Sequence, residues 1–157
     1  MSPSPLRRVS FGGPAAIVTS VALIVGLDAA AADRAAIVGS LLILALADNL
    51  TDALGVHIYQ ESERLALPEA LRTTVANFLT RLLVSLSFVA LVLNTPAPLR
   101  SSVSLAWGLL LLAVLSHLLA RARRVNPATE IAKHCGVALI VIALSAATGK
   151  LVPLWVG

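Results

Sequence analysis

The chain has 157 residues, of which 58% are hydrophobic and 13% charged, with a formal net charge of +4 and a mean hydropathy of +0.91. Soluble domains carry roughly 25% charged residues, so this composition excludes a water-soluble globule, which would lack the polar surface to cover itself. The basic balance does not point to nucleic acid. Most Lys and Arg stand at the ends of apolar runs, aromatics make up only 4%, and no RNA- or DNA-binding motif is present, so the charge reads as membrane orientation.

A spanning helix needs about 20 mostly apolar residues. The first candidate covers 12–27, behind Arg7 and Arg8. The same region also fits a signal peptide: a basic start, the run 14-PAAIVTSVALIVGL-27 and a small-residue site at 29-AAAA-32. Four strong spans follow, and an uncleaved first span serves equally as the targeting signal. The second candidate covers 35–59, the third 74–93 with Pro96 and Pro98 behind it, the fourth 103–120 and the fifth 131–155. No run alternates like a barrel strand, and in lipid a helix satisfies its own backbone. The expected fold is all-α: a polytopic integral membrane protein, one transmembrane domain over 1–157, with five transmembrane helices.

Orientation follows from lysine and arginine. One side holds Arg7, Arg8, Arg64, Arg72, Arg121, Arg123, Arg124 and Lys133; the other holds Arg34, Arg100 and Lys150. The N-terminus is therefore expected in the cytoplasm and the C-terminus outside or in an organelle lumen, with a prokaryotic inner membrane as the expected location. The largest connection, 60-QESERLALPEALR-72, is cytoplasmic, and Pro68 suits a helix start. The single cysteine, Cys135, excludes an intramolecular disulfide and a cysteine-based metal cluster.

The polar content concentrates in 45-ALADNLTDALGVHIYQESE-63. At 3.6 residues per turn, Asp48, Thr51, Asp52, Gly55, Tyr59, Ser62 and Glu63 form one stripe, with Asp48 and Asp52 one turn apart. Asn49 points about 100° off that stripe. An Asp at the centre of a spanning helix costs about 2.5–3.5 kcal/mol on insertion scales, so two of them require a metal ion, protons or a basic partner. Arg81 on the third helix is the candidate partner for Asp52. That pair would leave Asp48 for an ion or proton site, with Thr51 and Asn49 as auxiliary oxygens. A second group, His57, Glu61, Glu63, His117, Glu130 and His134, lies near the cytoplasmic helix ends. Glu61 is four residues from His57 and His134 four from Glu130, a spacing compatible with metal ligation. Such residues at helix ends are more often solvated or paired with nearby arginines.

No enzyme is indicated. The Gly-x-Gly-Asp element of intramembrane aspartyl proteases is absent, and 48-DNLTDALG-55 lacks the Asp-Gly pair and downstream Ala-Arg of lipid-headgroup transferases. No Ser/His/Asp spacing, P-loop or Gly-rich nucleotide fingerprint appears.

Three segments carry a family likeness: 54-LGVHIYQESE-63, 11-FGGPAAIVTSVALIVGLDAA-30 and 121-RARRVNPATEIAKHCGVALIVIALSAATGKLV-152. Together they resemble the vacuolar iron transporter family, five-helix transporters of ferrous iron and manganese. The resemblance implies a homodimer in the lipid bilayer, a metal path between protomers lined by the first two helices, and proton-coupled export of Fe²⁺ or Mn²⁺ from the cytoplasm. The metal is then cargo, with no tightly bound cofactor. By position, Thr51 falls on the family's serine, Asp52 on its usual methionine, and Gly12 where its first helix has an aspartate. The long glutamate-rich extension after the second helix is missing, with Glu61 and Glu63 as its stub. Those two residues and His57, Glu130 and His134 are the candidates for metal capture at the cytoplasmic mouth. An all-oxygen donor set suits Mn²⁺ or Mg²⁺ at least as well as Fe²⁺. The competing expectation is a non-transporting scaffold or accessory protein whose acids are tied up by Arg81.

Overall fold

The computed structural model describes residues 12–63 and 66–156, and every element among them is helical. Arg7, Arg8 and Arg64, three of the cations used for orientation, lie outside the described residues. The helices are α1 (Gly13–Ala29), α2 (Arg34–Ser62), α3 (Leu67–Asn94), α4 (Ala97–Arg123) and α5 (Pro127–Val156). The last four are long and apolar enough to cross a membrane, and α1 is a shorter apolar helix. The chain is thus consistent with a helical membrane protein.

The four long helices outrun the apolar segments that flagged them at both ends, and α1 runs on to Ala29, for local reasons. Proline stands in the first turn of α1, α3, α4 and α5, where its fixed φ favours a helix start and its missing N–H is not needed. Pro96 and Pro98 therefore belong to the start of α4 rather than merely closing α3, which moves that start from 103 to Ala97. The extra turns of α3 supply the Glu69 and Ala70 carbonyls, which accept from the Thr73 and Thr74 hydroxyls. Arg81 consequently sits about 21 Å along a helix of about 42 Å, at mid-length rather than two turns from its end.

The shortest helix is the central one. α1 packs against α5, α4 and α3, while α2 lies along α3. Ile17, Val21 and Ile24 of α1 meet Ile37 and Leu41 of α2, Phe88 and Val92 of α3, Leu112 of α4 and Ile142 of α5 in one core. Close approach of α1 and α5 depends on Gly26 and Gly149. A Cβ on Gly149 would collide with the Gly26 carbonyl, and Ser145 donates to the Ala22 carbonyl at 2.6 Å across the same seam. On the same helix, a Cβ on Gly136 would meet nothing within 4 Å.

Two turns set the helix order. After α1, Ala31 adopts a left-handed φ of 58°, and Asp33 then caps α2 by accepting from the Ala36 amide at 2.7 Å. Arg34 comes next, donating to the Leu93 and Thr95 carbonyls at the end of α3. After α4, Arg124 adopts φ 56°, and the Val125 amide reaches back to the Ala120 carbonyl.

Candidate functional site

The backbone of α2 changes character where the acids are. Leu44–Asp48 form a π-helical turn between two α-helical stretches. Such turns loosen the i→i−4 ladder and shift the angular register of the residues beyond them. Here two side chains bond to carbonyls of that region: Asn49 Nδ2 to Ala45 at 2.8 Å and Thr51 Oγ1 to Ala47 at 2.8 Å. Asp48 sits at the mid-length of α2, and Asp52 one turn further on.

Arg81 reaches this turn from α3. Its Nη2 lies 2.6 Å from Asp48 Oδ2, its Nη1 2.6 Å from Asp52 Oδ2, and its Nε donates to Asn49 Oδ1 at 2.8 Å. The arginine side chain is 3% exposed, the two carboxylates 42% and 47%. The fork of one guanidinium therefore spans both acids, a geometry that lysine does not reproduce. This corrects the expectation that Arg81 pairs with Asp52 alone and leaves Asp48 without a partner. Both acids share the cation because Asn49, on the buried flank of the stripe, holds Nε centrally between them.

The start of α1 completes the surroundings. Gly12 is buried, and a Cβ there would run into Asn77 Oδ1 and into Cγ and Cδ of Arg81. Gly12 is thus the position that admits the arginine stem. Asn77, 1% exposed, keeps its Oδ1 without a hydrogen-bond partner. With both carboxylates ionised, two negative charges against one positive leave the cluster at minus one.

The rest of the stripe faces outward. Thr51, Gly55, Tyr59, Ser62 and Glu63 are exposed, and nothing lies within 4 Å of a Cβ built on Gly55. Leu46, Leu50, Leu54 and Ile58 lie exposed beside them. The second expected group divides. His57 Nε2 and Glu61 Oε1 approach to 3.5 Å. Glu130 contacts Lys133 at 3.1 Å and Arg123 at 3.5 Å, while His134 Nδ1 pairs with Ser116 Oγ at 2.8 Å. The i, i+4 spacing of Glu130 and His134 therefore does not make them a pair. Among the described residues, no three His, Cys, Asp or Glu side chains converge as a metal-ligand group.

One polar pair escaped the sequence reading. Asp28, near the end of α1, accepts from Arg100 Nη1 at 3.3 Å and from Ser101 Oγ at 2.5 Å, and Arg100 is buried. Arg100 counted only as an orientation charge. The signal in the sequence was an acid and a base both adjoining the same, opposite end of the spans. Trp107 lies ten residues inside α4 and donates from Nε1 to Ser87 Oγ at 3.2 Å.

No protein-family model matches the chain, and no curated protein or solved structure matches it either.

Proposed function

We propose that the protein is a small transporter of divalent metal cations, Fe²⁺ or Mn²⁺, with five membrane-spanning helices, an N-terminus in the cytoplasm and proton-coupled export as its direction of work. The observation that carries this function is the pair of half-exposed carboxylates, Asp48 and Asp52, opening outward from the mid-length of a long apolar helix. Acids that serve only to hold helices together would gain most by being enclosed, because carboxylates facing hydrocarbon are costly. These two keep oxygens free for a further positive charge. Asp48 and Asp52 are the cation ligands, Thr51 and Asn49 lie beside them, and His57 with Glu61 and Glu63 forms the cytoplasmic mouth.

A homodimer follows from the same surface. The exposed leucines of α2, the open Gly55 and the half-exposed acids share one side of the protomer. A second copy laid along it would remove the carboxylates from lipid and put the cation path between protomers. Small residues favour such close helix approach in a bilayer.

Mn²⁺ and Fe²⁺ uptake into proteoliposomes tests the function. Wild-type protein should carry the ions, and Asp48→Asn should reduce the flux at least about tenfold, as expected where an ionic ligand worth about 1.4 kcal/mol or more is lost. Flux in Asp48→Asn equal to wild type would refute the site.

A second reading has its own support. Arg81 contacts both acids at 2.6 Å, which is what a structural ion-pair network in a non-transporting scaffold would display. In that case no metal flux appears, and the cluster's contribution is to stability alone.

A further inference from the structure

We propose that Arg81 is the resident cation of the Asp48–Asp52 clamp, a tethered competitor that a divalent cation must displace in order to bind. The proposal rests on the transport function above and deepens it, naming the residue that sets what the site accepts.

The geometry is that of an occupied site. All three guanidinium nitrogens are engaged, two by carboxylates at 2.6 Å and one by Asn49 at 2.8 Å. Each carboxylate spends one oxygen on the arginine and remains close to half exposed, so an ion can approach from outside the protomer. Charge then selects the sequence of events. With Arg81 in place the cluster carries minus one, which a divalent cation would overshoot. With Arg81 withdrawn it carries minus two, which a divalent cation balances.

An arginine does not vacate such a clamp by losing its proton. It has to move, and an acceptor stands beside its stem. The stem of Arg81 lies against Gly12, where the start of α1 has no side chain. Asn77, one turn before Arg81 on α3, packs against the same Gly12, and its buried Oδ1 has no hydrogen-bond partner. Rotation of the guanidinium from the carboxylates toward Asn77 Oδ1 exchanges one set of acceptors for another. An arginine with two seats, one of them inside the cation site, couples the arrival of cargo to a rearrangement between α2 and α3.

The test is Mn²⁺ binding to the full chain, solubilised and monodisperse, measured by equilibrium dialysis with radiolabelled Mn²⁺. A site that its own arginine fills nine-tenths of the time shows an affinity about tenfold below its intrinsic value. Arg81→Gln should therefore bind Mn²⁺ about tenfold tighter than wild type, and adding Asp48→Asn should abolish the gain. Arg81→Gln binding no tighter than wild type overturns the proposal. Should that variant fail to fold, Asn77→Ala carries the test. It keeps Arg81 and removes its second seat, so Mn²⁺ should bind more weakly. Wild-type affinity in Asn77→Ala overturns the proposal equally. The transport function fails separately: wild-type proteoliposomes that pass no metal would refute it, while tighter binding by Arg81→Gln would still establish the occupied clamp.

Discussion

At the scale of single residues, the arrangement around Arg81 explains why an apolar chain tolerates two aspartates in mid-helix. Each acid alone costs about 2.5–3.5 kcal/mol on insertion scales, and one planar cation serves both because Asp48 and Asp52 are one turn apart with Asn49 between them. Breaking one side of a buried ion pair costs about 3–5 kcal/mol, mostly from the charge left behind. Arg81→Ala should therefore lower stability by about 3 kcal/mol, the lower figure because the carboxylates are half exposed. Adding Asp52→Asn should recover part of that loss by removing one orphaned charge. Thermal unfolding in detergent with chelator present reads both effects. A double variant no more stable than Arg81→Ala would show that Asp52 contributes nothing to the pair. Gly12 belongs to the same account. Gly12 carries no side chain, and the arginine stem occupies the space that a Cβ there would need.

At the scale of elements, boundaries were set by features weaker than hydropathy. Proline in the first turn lets α3, α4 and α5 start before their apolar runs. The α1–α2 turn carries a cost. Ala31 holds a left-handed φ of 58°, a conformation that costs an L-residue about 1–2 kcal/mol and glycine little. Ala31→Gly should stabilise the protein by about 0.5–1 kcal/mol, after the greater freedom of glycine in the unfolded chain is deducted. A rise in midpoint temperature checks it, and a fall would mean that the Ala31 methyl makes a compensating contact. The π-turn at Leu44–Asp48 is the other local departure, and it lies where the acids are.

At the scale of the whole molecule, the shortest helix is enclosed by four longer ones, and the long helices present mostly apolar outer faces. The outer side of α2 differs in adding the carboxyl groups of Asp48 and Asp52 to that apolar surface. Gly55 lies open on this side, since a Cβ there would meet nothing within 4 Å, and the proposed dimer would set a second protomer against it. Gly55→Leu should shift the protein from dimer to monomer in light scattering after size exclusion, while leaving its helix content unchanged. A dimer that survives the substitution would place the interface elsewhere.

Much of this was legible in the chain, for identifiable reasons. Mean hydropathy and the length of the apolar runs pointed to long apolar helices, with which the structure is consistent, because lipid allows few ways to satisfy a backbone. The 3.6-residue period put Asp48 and Asp52 on one stripe and Asn49 on its flank, and the bilayer's intolerance of charge marked Arg81 as a partner. Tertiary structure decided the rest. Whether Arg81 served one acid or two depended on the reach of its fork across α3 and α2, together with the missing Cβ of Gly12 on a third helix. The i, i+4 spacing that brings His57 to Glu61 recurs at Glu130 and His134, yet Ser116 on α4 and the Arg123–Lys133 pair claim those two separately. Asp28 and Arg100, 72 residues apart, meet only when α1 and α4 pack. Periodicity fixes the angle of a side chain about its own helix; which cation lies at that angle is decided by the neighbouring helices.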